Sequence, residues 1–178
     1  MRRVFAVLLA LAMGFCVALP VGHSHLAAAA LQDPAKVKRG LAVIVNRANP
    51  VENLSFAELR KIFRGERNHW PDGRRITIVL REPGQPERAA VLREIYQMSE
   101  PDFNRYFLHA TFTGEVLSAP KTLATASGVR KFVFNVPGAI GCVRADEVDE
   151  TVKVIRLDGR LPGEKDYRLR LEGSEAGP

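Results

Sequence analysis

The chain has 178 residues, with 26 lysines and arginines against 20 aspartates and glutamates, a net charge of +6. That balance is mild, and the basic residues are scattered rather than gathered in a stripe with interleaved aromatics, which excludes the usual signature of a nucleic-acid binder. Two cysteines, Cys16 and Cys142, and four histidines leave little material for a disulfide framework or a metal cluster.

The first thirty residues read as a signal peptide. MRR is a positive n-region, VFAVLLALAMGFCVALPV an apolar run, and HSHLAAAA supplies small residues for cleavage. Its removal takes away Arg2, Arg3 and Cys16. The remaining chain then carries 24 basic against 20 acidic side chains, a net of +4. Residues 31–158 are expected to form one domain, long enough for a real core, and 159–178 a polar C-terminal tail. The expected location is the periplasm.

LAVIVNR, 41–47, is aliphatic on both sides of the pleat and predicts a central buried strand. In NLSFAELRKIFRG, 53–65, Ser55 and Glu58 form a capping box, Leu54 and Leu59 a hydrophobic staple, Leu59, Ile62 and Phe63 an inward face, and Gly65 the C′ stop. ERNHWPDGRR is a loop turning at Pro71-Asp72-Gly73, and ITIVL, 76–80, a second strand. A helix is expected over 87–98, with Ala90, Val91 and Ile95 inward. Another begins at Ser99 and buries Phe103, Tyr106, Phe107 and Ala110. TGEVLSAPKT reads as a loop, LATASGVRKFVFNV as a helix, AIGCV (139–143) as a third strand and TVKVIRL (151–157) as a fourth, nearer an edge. Alternating strands and helices imply an α/β domain with helices packed on a sheet.

The order of these motifs resembles the phosphate-binding proteins of ABC importers. That family has a strand ending in Val-Asn, a Leu-Ser/Thr helix ending in Ile-Phe-x-Gly, a Trp-x-Asp loop and a strand ending in arginine. A Pro-Gly-Ala/Ser-Ile-Gly strand follows later. Here Leu54, Ile62, Phe63, Gly65, Trp70, Asp72, Arg81 and Gly138 to Gly141 carry the likeness, over residues 41–144. It implies a single lobe of the periplasmic-binding-protein type II kind, a mixed sheet flanked by helices. It also implies an exported, non-enzymatic solute binder without a cofactor.

In that family the strand arginine is followed by Asp-Gly-Ser-Gly-Thr. Arg81 matches the arginine and Gly84 the first glycine, but Gln85, Pro86 and Glu87 stand where Ser, Gly and Thr are expected. A helix N-terminus holds phosphate through free N–H groups and its dipole. Pro86 has no N–H to offer, and Glu87 places a carboxylate where a dianion would sit. The site residues expected from the resemblance are therefore Arg81, Gly84, Gln85 and Arg88, holding a small phosphate-like anion or polar solute in a degenerate loop. Arg81 reads equally as a structural ion pair with Glu82, Glu87 or Asp72. The alternative function is a module that binds a membrane transporter or sensor and no solute.

No catalytic residue is expected. The sequence lacks a Gly-x-Ser-x-Gly elbow and a His-Glu-x-x-His pair, and the acid pairs Asp146-Glu147 and Asp149-Glu150 fall in a polar loop. His69 and His109 are too far apart in sequence to signal a metal site. Trp70 reads as a core anchor and Cys142 as a buried small hydrophobe.

Overall fold

A computed structural model describes residues 40–171. The expected signal peptide lies outside the described residues. The elements follow the order β1 (Leu41–Asn46), β2 (Asn53–Leu54), α1 (Phe56–Phe63), β3 (Thr77–Arg81) and α2 (Pro86–Val91). A π-helical segment Leu92–Tyr96 leads to α3 (Glu100–Phe112), β4 (Lys121–Leu123), α4 (Ala126–Asn135) and β5 (Ala139–Arg144). A short 3-10 turn precedes β6 (Val152–Val154) and β7 (Arg156–Leu157).

Five strands form a mixed sheet in the order β4-β3-β5-β1-β6. β3 runs parallel to β4 and β5, whereas β1 is antiparallel to β5 and β6. β2 and β7 make a separate parallel pair.

All six residues of β1 are buried because helices cover both faces of the sheet. Alternation then divides them. Leu41, Val43 and Val45 join the core under α1, α2 and α3, while Ala42 and Ile44 join the core under α4. β5 divides the same way, with Ile140 and Cys142 on the first side and Ala139 and Val143 on the second. A one-residue slip would exchange the two sets, so the pairing of Val43 with Cys142 is fixed by both cores at once.

The helix punctuation forms as the sequence dictates. Ser55 Oγ accepts from the Glu58 amide, Glu58 Oε2 accepts from the Ser55 amide, and both Leu54 and Leu59 are buried. Gly65, at φ 81°, follows the C-cap Arg64. Ser99 caps α3 by accepting from the Asp102 amide.

Four features depart from the sequence reading. The helix expected over 87–98 is α-helical only to Val91. It then widens into π geometry and ends at Gln97 in the left-handed region, φ 56°. β4 straddles the end of the expected loop and the start of the expected helix, which begins only at Ala126; its three residues are polar or half-exposed and so carry no alternation. TVKVIRL is split at Ile155, whose amide turns in to the Val43 carbonyl at 2.9 Å. Beyond Asp158 the polar stretch contributes buried side chains: Tyr167 Oη donates to the Leu41 carbonyl at 2.7 Å, and Leu169 is fully buried.

Two of the family-like residues, Trp70 and Gly138, meet directly. Trp70, nearly fully buried, donates its Nε1–H to the Gly138 carbonyl at 3.0 Å. The Thr77 amide donates to that same carbonyl at 3.1 Å. A Cβ on Gly138 would lie 2.0 Å from the Arg75 carbonyl oxygen, so only glycine permits this approach. The tryptophan thereby joins the 66–75 loop to the start of β5, next to the foot of β3, the strand that delivers Arg81.

Candidate functional site

The loop 81–88 begins where β3 leaves the sheet. The Glu82 amide still donates to the Leu123 carbonyl of β4 at 3.2 Å, and the Gln85 amide closes a turn on the Glu82 carbonyl at 3.3 Å. Gly84 allows that turn by adopting φ 85°. Pro86 then opens α2 at the first helical position, where its missing N–H is tolerated.

Gln85 is the N-cap of α2, yet its side chain makes no capping bond. Its Oε1 accepts instead from Arg81 Nη2 at 2.9 Å. The Glu87 carboxylate closes on the same guanidinium, with Oε2 3.9 Å from Arg81 Nε. Both side chains are about nine-tenths or more buried, at 10% and 6% exposure. The two facing atoms, Arg81 Nε and Glu87 Oε2, each lack a hydrogen-bond partner. They attract as charges, at a separation too long for a hydrogen bond.

Arg88 goes elsewhere. Its guanidinium grips Glu100 at the start of α3 through two bonds, Nε to Oε2 at 3.2 Å and Nη2 to Oε1 at 2.6 Å. It also lies over the Phe103 ring, 4.3 Å from the centroid. The pair lines two cavities. One, of about 550 Å³, runs along Gly84, Ala89, Leu92, Met98 and Ser99. The other, of about 380 Å³, is bounded by Pro83, Phe103, Phe107, Leu108 and Pro120.

The structure thus brings Arg81, Gly84 and Gln85 into one turn and takes Arg88 out of it. Of the two residues that hold Arg88, Phe103 was expected only as a core residue and Glu100 was not singled out from the sequence. Glu100 reads there only as an acidic residue in a first helical turn, twelve positions away from its partner.

The remaining candidates are structural. Burial pushes the Cys142 thiol far above its ordinary range, so it is no thiolate at neutral pH. His109 is exposed on α3, and the His69 ring bonds its neighbour Asn68 through the side chain, at 2.7 Å. Asp149 bonds Thr151 and pairs with Arg130 at 3.0 Å; the Thr151 hydrogen bond holds its carboxyl below the usual range. Among the described residues no group of three or more His, Cys, Asp and Glu side chains could hold a metal ion.

The order of elements, the Trp70–Gly138 joint and the strand-end arginine can now be set against known proteins. The sequence pattern of the PBP superfamily domain matches residues 30–163. The chain belongs to the PBP superfamily. It is a periplasmic-binding-protein type II-like domain related to phosphate ABC transporter substrate-binding proteins. The phosphate-binding protein PstS of Bacillus subtilis (strain 168) is 27% identical over 143 residues, covering 78% of this chain and 42% of that protein. In fold this PBP lobe is similar to an ABC-type phosphate transport receptor from Vibrio cholerae. The TM-score is 0.57 at 24% identity, covering 70% of this chain and 48% of that one. A putative phosphate ABC transporter substrate-binding protein from Clostridium perfringens, solved with bound phosphate, gives 0.56 at 22% identity, covering 71% and 49%. The chain spans about half the length of the relatives it matches.

Proposed function

We propose that this is an exported, non-enzymatic solute-binding lobe whose 81–88 loop keeps the form of an anion site and has lost high affinity for phosphate. Relatives named for phosphate supply the class of solute. The observation that carries the loss is the state of Arg81. Its Nη2 is engaged by Gln85 and its Nε faces the Glu87 carboxylate. An incoming phosphate would have to displace a buried carboxylate and would find no N–H at Pro86. Arg88 brings no second free cation, because Glu100 grips it at 2.6 Å. What remains suits a weakly held anion or carboxylate, with Arg81 giving the charge, Gly84 the turn and Gln85 an amide.

Calorimetric titration of phosphate into residues 31–178, with Arg81→Ala alongside, tests this. No heat at millimolar phosphate is the expected result. Tight binding that disappears in Arg81→Ala would overturn it.

A second reading has its own observation. On α3, Leu108 and Phe112 stand one turn apart at 75% and 91% exposure, and Leu117 beyond the helix is 61% exposed. Three large apolar side chains on one part of a small lobe suit a protein partner, such as a transporter or sensor. A pull-down that succeeds with Arg81→Ala and fails with Phe112→Ser would favour this reading over the solute.

A further inference from the structure

We propose that the niche beside Arg81 is a carboxylate site, and that the chain fills it with the side chain of its own Glu87. The inference rests on the reading above, that the loop has kept an anion site's form. It adds the chemical class of the occupant and names the group that holds the place.

Three observations carry it. First, Arg81 is a strand-end cation at 9% exposure, a position that is unfavourable for a charge without a partner. Second, Glu87 is buried to a similar degree and faces it, although a glutamate at the second position of an exposed helix start would ordinarily point to solvent. Third, the contact is imperfect. The Nε···Oε2 separation is 3.9 Å, and neither atom has a hydrogen-bond partner. A side chain tethered to the first turn of α2 supplies the charge but stops short of bonding distance. A free carboxylate carries no tether and would approach the Nε–H until it bonded.

The same features set the class of ligand. Without Glu87 the niche would hold one cation, Arg81, so it balances one negative charge. Arg88 cannot add a second while Glu100 grips it through two bonds. Gln85, whose Oε1 is turned to Arg81, also has an amide N–H₂ able to donate. One guanidinium N–H and one amide N–H₂ match the two oxygens of a monocarboxylate. Glu87 therefore acts as a resident plug, and its removal should open the site to formate or acetate.

The test is chemical rescue in the protein recovered after export. Thermal unfolding of the wild type, Glu87→Ala and the double variant Arg81→Ala/Glu87→Ala is followed against formate, with chloride holding ionic strength constant and phosphate as a second probe. Glu87→Ala should melt below the wild type. Formate should raise its midpoint saturably, by about 3–6 °C, as a ligand bound to the folded state does. The wild type, whose niche Glu87 already fills, should respond far more weakly than Glu87→Ala, the double variant should not respond, and phosphate should act more weakly than formate. A flat response in Glu87→Ala, or an equal rise in the double variant, overturns the proposal.

If Glu87→Ala does not fold, Glu87→Gln replaces it. Arg81→Met should then lower the midpoint less in the Glu87→Gln background than in the wild type, because the carboxylate partner is already gone; an equal loss overturns the proposal. Tight phosphate binding by the wild type would defeat the reading of the loop itself. A silent wild type with an unresponsive Glu87→Ala would defeat only the carboxylate plug.

Discussion

Two regions of this lobe are separated by the length of one strand and have diverged in opposite ways. At the foot of β3, Trp70, Thr77 and Gly138 share one carbonyl, and the backbone passes so close that a Cβ would lie 2.0 Å from the Arg75 oxygen. At its head, Arg81 is met by a glutamine and a glutamate where the resemblance implies hydroxyls and a bare backbone. The frame keeps its residues because close packing has no substitute for them. On the reading proposed above, the loop meets its arginine with internal groups in place of an external anion. A family likeness that rests on the frame therefore says where a ligand would sit, and leaves open whether one does.

The sharpest way to break this comparison is Gly138→Ala. The methyl group would collide with backbone rather than with a movable side chain. A loss of about 3 kcal/mol or more is expected by urea denaturation, and a loss under about 1 kcal/mol would show that the frame is not rigid.

Glu100→Ala tests the loop side. It leaves the buried Arg88 guanidinium without its carboxylate. Because Glu100 is itself 30% exposed, a loss of about 2 kcal/mol is expected, smaller than for a fully buried pair.

Ser55→Ala removes the capping box of α1, far from both regions, and should cost about 1 kcal/mol at pH 7. The Ser55 backbone N–H and then its hydroxyl hold the Glu58 carboxyl below its ordinary value of 4.5. The variant keeps the backbone bond and loses only the hydroxyl bond, whose contribution to stability is present above the ordinary value and disappears as pH falls through the lowered one. The gap between variant and wild type should therefore narrow in acid by that smaller part, and a gap constant from pH 7 to pH 3 would show that the hydroxyl bond to the carboxylate adds nothing to the cap.

Phe112→Ser should change stability by less than about 0.5 kcal/mol, because the ring is 91% exposed. A larger loss would mean that the ring packs against the protein itself, and the patch could no longer be read as a docking face.

The parts legible in the sequence are those governed by neighbours along the chain. Ser55 with Glu58, Ser99 with Asp102 and the unbroken aliphatic run of β1 announce themselves within a few residues. The turn at Gly84 and the placing of Arg81 at a strand end were legible for the same reason. What escaped depends on partners brought by the fold. β4 is three residues of Lys-Thr-Leu, defined only by pairing to β3. The π turn at Leu92–Tyr96 has no residue signature, since Leu, Arg, Glu, Ile and Tyr all accept an α-helix. Arg88 belongs to Glu100 because that turn brings the start of α3 back beside α2, a distance that no spacing rule encodes. Tyr167 and Leu169 were hidden among charged and turn-forming residues, and their burial depends on the open end of β1.

That last contact has a topological consequence. The Leu41 amide bonds to the Leu169 carbonyl at 3.0 Å, and Gly40 bridges Arg170. The first and last described residues of the lobe are therefore neighbours, and a short linker would close the backbone into a ring. New ends could then be cut at the exposed Pro71-Asp72-Gly73 turn, which would sever the Trp70 joint from β3 in sequence while leaving it intact in space. A permuted chain that still folds would show that the joint is held by packing alone and does not depend on the chain running through it.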